Sequence, residues 1–162
     1  MKGKKGKKGK KPALSACFDT YPGYVNGIDI SNGSSVVVDF DDEDLTFNFN
    51  LRGLEVDCTN CGIHIHTGTT CDDATLVLGH YWNDAKVVDP WTTDGGSVYN
   101  SDSDGRAKGS FQLSAGFDAE ANMGHAVVIH AQGGERIGCG VLSKSRKAAR
   151  SCKATKKAAR KV

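Results

Sequence analysis

The chain has 162 residues, enough for one ordinary domain with a real hydrophobic core and too few for two. Hydrophobic residues make up 38% and charged residues 25%, a globular balance, and no apolar run approaches the roughly 20 residues needed to cross a bilayer. The net charge of +2 conceals an asymmetry: seven lysines in residues 1–12, nine Lys or Arg in 144–162, and no acid in either.

All 19 acids therefore fall within residues 13–143, against five basic residues, an excess of 14 negative charges. This divides the chain into a folded domain, 13–143, between two basic arms, 1–12 and 144–162, which read as disordered. The arms either solubilise the domain and fold back on its acids or adhere to a polyanionic surface. They carry no interleaved aromatics for base stacking, so specific nucleic-acid recognition is not expected. The basic N-terminus has no apolar stretch behind it and does not read as a secretory signal.

In chain order, Asn32-Gly33 lies between Ile28/Ile30 and Val36-Val37-Val38 and reads as a hairpin turn, since both residues tolerate positive φ. Residues 45–51, Leu-Thr-Phe-Asn-Phe-Asn-Leu, alternate with period two, the mark of a half-buried strand. Further strands are expected at 62–66, 74–78, 108–113, 125–130 and 137–142, separated by turn formers such as Asp94-Gly-Gly-Ser and Gln132-Gly-Gly-Glu. Seven to eight short antiparallel strands without a helix predict an all-β fold, a Greek-key β-barrel or immunoglobulin-like sandwich.

Six cysteines, at 17, 58, 61, 71, 139 and 152, suggest disulfides and hence an oxidising, extracellular or cell-surface location. Cys58-Thr-Asn-Cys61 has no second C-x-x-C to complete a zinc ribbon and no βαβ context for thioredoxin-like chemistry. Cys58 pairing with Cys61 is one option; a crossing to Cys17 is another.

The five histidines carry the most information. His64 and His66 are two apart on a strand and share a face, with Ile63 and Ile65 on the other. His130 ends the strand Ala126-Val-Val-Ile-His, and His80 follows Thr75-Leu-Val-Leu-Gly. An isolated His-x-His is more often two surface histidines than a metal site, because exposed strand positions recur every second residue. Imidazole suits copper, zinc or nickel, and among divalent ions the affinity order favours Cu²⁺. His125 is an odd number of residues from His130 and is expected on the opposite face.

Three segments together resemble the copper/zinc superoxide dismutase family: Cys61-Gly-Ile-His-Ile-His-Thr-Gly-Thr-Thr-Cys71, Gly124-His-Ala-Val-Val-Ile-His130 and Gly133-Gly-Glu-Arg136-Ile-Gly-Cys139-Gly-Val-Leu. The likeness spans roughly residues 22–143 and is closest to the copper-only branch. It implies one copper ion on His64, His66, His80 and His130, with Arg136 beside it to attract superoxide, and a disulfide between Cys71 and Cys139. The implied reaction is dismutation of superoxide to O₂ and hydrogen peroxide. The chain departs from the zinc-containing enzymes in two ways. His80 is the only histidine between 67 and 124, so no zinc is expected, and only six steps separate His130 from Arg136, so the long charged loop is missing. The second ring nitrogen of His80 needs a partner, with Asp84, Asp89 and Asp94 as candidates. The rival reading is a non-catalytic copper-binding or matrix-binding module on the same fold.

Overall fold

A computed structural model describes residues 9–144 and Cys152. The strands are β1 (Ala13–Cys17), β2 (Asp19–Thr20), β3 (Ser35–Asp41), β4 (Asp44–Leu51), β5 (Cys61–His66), β6 (Val98–Tyr99), β7 (Ala107–Ser114), β8 (Ala126–His130) and β9 (Arg136–Val141). They form two antiparallel sheets, β1-β3-β4-β7 and β2-β9-β8-β5-β6, packed as a sandwich. Of the two architectures expected, the structure is the open sandwich. The sheets approach at one edge, where Ser15 and Ser143 exchange backbone hydrogen bonds of 2.9 Å.

Strict alternation builds the core. Leu45, Phe47, Phe49 and Leu51 of β4 and Val36, Val38 and Phe40 of β3 point inward, against Ile63 and Ile65 of β5 and Val127 and Ile129 of β8. Phe47 stacks on Phe111 and meets Trp91 edge-on, with ring centroids 5.1 and 6.3 Å apart. Each such side chain, fully buried, stabilises the fold by roughly 1.5–3 kcal/mol. The polar partners Thr46, Asn48 and Asn50 lie on the other face, as period two requires.

Two expectations are corrected. Residues 74–78 are not a strand but a 3₁₀ turn, Ala74–Leu76, followed by a buried Val77. The Asp73 carboxylate accepts from the backbone N–H of Thr75 at 2.8 Å and caps the turn, a local bond that competes with sheet pairing. Asn32-Gly33 does turn the chain, with Gly33 at φ 86°, but Ile28 and Ile30 form no strand before it. The tight hairpin is instead β3–β4, where Asp41 faces Asp44 across Asp42 (φ 56°) and Glu43. The expected basic arms, 1–12 and 144–162, lie mostly outside the described residues; Lys11 pairs with Asp41 at 2.6 Å, and Cys152 is bonded to Cys17. Among the described residues no helix is long and apolar enough to cross a membrane.

Candidate metal centre

The face of the second sheet turned away from the core carries the site. Ala126 and Val128 of β8 and Cys139 of β9 point to this side and are covered by Tyr21 and Val77. His64 lies opposite Val128, and His66 opposite Ala126. Period two thus sets His64, His66 and His130 on one surface, with Ile63, Ile65 and Ile129 anchoring the same strands from behind. The ligand-capable nitrogens of His64, His66 and His130 all lie within 4.8 Å of one another.

Hydrogen bonds select which nitrogen faces the cluster. The Nδ1–H of His66 donates to the Leu78 carbonyl at 2.8 Å, and that of His130 to the Gly134 carbonyl at 3.0 Å. Each leaves Nε2 with a free lone pair. His66 Nε2, His130 Nε2 and His64 Nδ1 are buried without a hydrogen-bond partner. An unsatisfied buried polar atom costs about 1–3 kcal/mol, and three converging here make a cation the natural partner. The donor set is all imidazole, which suits copper, zinc or nickel. The residues fit a bound metal ion.

The His64 ring lies over Gly62. A Cβ at position 62 would come within 2.5 Å of His64 Cε1 and 2.6 Å of its Nε2 and would displace the ring from this position. Leu78, whose carbonyl holds His66, has φ 64°, a left-handed conformation that a leucine adopts only under constraint. Val77, buried beneath it, and the Cys71–Cys139 disulfide secure the segment on both sides.

His80 joins the group from a loop. It forms an isolated bridge with His66, and its ring lies 4.6 Å from that of His64 and 5.3 Å from that of His66, nearly perpendicular to both. Its Nδ1 pairs with Asp89 Oδ2 at 2.7 Å, which selects Asp89 over Asp84 and Asp94 and turns Nε2 into the free nitrogen. Asp89 is itself held by the Trp91 backbone N–H at 2.9 Å. His125 stays outside, bonded through Nδ1 to the Thr67 carbonyl and stacked on Tyr81 at 3.8 Å.

Burial and mutual repulsion hold His64, His66 and His130 neutral. Burial, with the other three histidines and Arg136, pushes His64 down to about 2. Burial pushes His66 down to about 3 against the opposing Leu78 hydrogen bond, and it lowers His130 as well. Neutral imidazole is the form that ligates. In the metal-free protein the unfolded chain takes up protons near pH 6.5 that the folded state refuses. Stability is therefore full above pH 6.5 and falls as pH drops towards the folded values. Between pH 6.5 and 5, His64 and His66 together should remove about 2–4 kcal/mol. Denaturant unfolding of metal-free protein across that window checks this; a flat profile contradicts it.

Arg136 opens β9 directly across from His130. Its Nη1–H donates to the Tyr21 hydroxyl at 3.0 Å, and its guanidinium carbon lies 5.7 Å from the centre of the Tyr21 ring. The structure also pairs Cys58 with Cys61 and Cys71 with Cys139. Three disulfides in a chain of this size fit an oxidising location. No sequence pattern marks the roles of Tyr21, Leu78 or Gly134; the last two act through backbone carbonyls, which any residue could supply. Gly62 left a signal, a glycine set immediately before an Ile-His-Ile-His strand. Neither a protein-family model nor a curated protein matches this chain.

Proposed function

We propose that this centre holds one copper ion, with His80 as a fourth imidazole, and that the protein dismutates superoxide. The observation that carries the reading is the convergence of three buried, unpartnered imidazole nitrogens, one of them on His130, which pairs across the sheet with Arg136. The three sequence segments that resemble the copper/zinc dismutases contain those same residues, and the absence of further histidines between 67 and 124 favours the copper-only kind. Copper, when bound, supplies a one-electron couple, so that two superoxide anions and two protons become one O₂ and one hydrogen peroxide.

The chain's own residues supply the rest. Leu78, Gly134 and Asp89 orient three rings through their Nδ1 atoms, and Gly62 leaves space for the fourth. Arg136 gives an incoming anion a local cation on a domain with 14 excess negative charges. With a Debye length of roughly 8 Å at physiological salt, that neighbour outweighs distant acids. The three disulfides favour work outside the cell or at its surface.

Copper-loaded protein should consume superoxide in a second-order reaction that slows as ionic strength rises. Arg136→Ala should slow it by roughly tenfold, the lower end of what electrostatic guidance contributes, and flatten the salt dependence while copper stays bound. Pulse radiolysis with parallel metal analysis measures both. Copper-loaded protein that leaves superoxide untouched would make the domain a binding module.

A further inference from the structure

We propose that Tyr21 is a positioning residue for Arg136, fixing the guanidinium of the residue paired with His130 and coupling it to the loop that clamps His66. The inference rests on the reading of Arg136 as the group that attracts the anion.

Arginine has a long, flexible side chain, and holding its head at one point requires partners. Among the described residues the guanidinium makes one hydrogen bond, Nη1–H to the Tyr21 hydroxyl. The ring adds a cation–π contact to the same group. Tyr21 is well placed to impose a position because it is itself immobilised. It is only 8% exposed, packed with Val77, Ala126, Val128 and Cys139. Its backbone N–H donates to the Ile137 carbonyl at 3.0 Å, so the strand that carries Arg136 also carries its restraint.

The hydroxyl has one acceptor role and one donor role, and both are used. It accepts from Arg136 and donates to the Ala74 carbonyl at 3.4 Å. Ala74 belongs to the segment that runs from Cys71, bonded to Cys139, to Leu78, whose carbonyl holds His66. Through one phenol the anion-attracting group and a metal-orienting loop are fixed against each other. A phenylalanine at 21 would keep the packing and the ring contact but lose both hydrogen bonds.

The test uses Tyr21→Phe in the full chain, with azide as an anion probe of the Cu²⁺-loaded protein, read by its charge-transfer absorption. Azide affinity and the superoxide rate constant should each fall about three- to tenfold, as the net loss of one ordinary hydrogen bond implies, with copper stoichiometry unchanged. In an Arg136→Ala background the same change should be silent, because the tyrosine acts through the arginine. In the metal-free protein, NMR of the Arg136 guanidinium should report restricted rotation in the wild type and averaging in Tyr21→Phe. Unchanged azide affinity together with unchanged guanidinium dynamics overturns the proposal, as does an equal loss with and without Arg136. Loss of azide affinity in a protein that does not consume superoxide would leave Tyr21 in its role and overturn the dismutase reading alone.

Discussion

Alanine at His64, His66 or His130 is expected to weaken Cu²⁺ binding by more than about 100-fold, beyond the roughly 10–100-fold typical of losing a ligand's hydrogen-bond partner. Each substitution removes one of three nitrogens that lie within 4.8 Å of one another and have no other partner. His125→Ala should leave affinity unchanged, since that ring bonds to Thr67 and stacks on Tyr81. His80→Ala should fall between these limits: its ring borders the cluster, but the tight group comprises the other three. Thermal unfolding gives a second reading. A metal bound to the folded state would stabilise the wild type by mass action, so the gap between metal-free and metal-loaded midpoints should collapse in the three alanine variants and persist in His125→Ala. Isothermal titration with Cu²⁺ measures the affinities directly. An unchanged affinity in His64→Ala would remove the centre and the proposed chemistry with it.

The parts of this centre that were legible in the sequence are those written in side-chain type and parity. His64 and His66 share a face because strand geometry gives them no choice, and the Phe47/Phe49 alternation fixed β4 for the same reason. Parity alone separates His125 from the cluster, and the structure holds it against Thr67 and Tyr81. What escaped was written in the backbone. The 74–78 run has the apolar look of a strand, yet Asp73 caps it into a turn and only Val77 is buried. That turn presents the Leu78 carbonyl to His66, a function any residue could supply and no sequence pattern marks. β1 carries no strand signal because Ala-Leu-Ser-Ala-Cys lacks both alternation and β-branched residues, its middle three positions all being buried. Asp89 could not be ranked above Asp84 or Asp94 because the choice depends on where the 81–91 loop returns, which Trp91 decides by burying its ring and donating Nε1–H to the Tyr81 carbonyl.

Loss of the Cys71–Cys139 bond, as the double alanine variant, should cost both stability and metal affinity, and the two effects can be separated. The bond closes 68 residues of sequence, for which loop-closure entropy gives about 4 kcal/mol. That is a large share of the 5–15 kcal/mol typical of a domain and lowers the unfolding midpoint by about 10 °C. Breaking Cys17–Cys152, separated by 135 residues, should cost about as much, near 5 kcal/mol on the same basis. The two differ in what they hold. Cys17 ends β1 in the opposite sheet, whereas Cys71 begins the segment that carries Ala74 to the Tyr21 hydroxyl and Leu78 to His66. Removing Cys71–Cys139 frees a leucine held at φ 64° to relax, and the His66 ring loses the acceptor that selects its tautomer. Copper affinity should therefore fall by about 10–100-fold in that variant, as for a ligand whose orienting partner is lost, and stay near wild type when Cys17–Cys152 is removed. Equal losses of affinity in the two variants would mean that global stability, not the clamp on His66, governs metal binding.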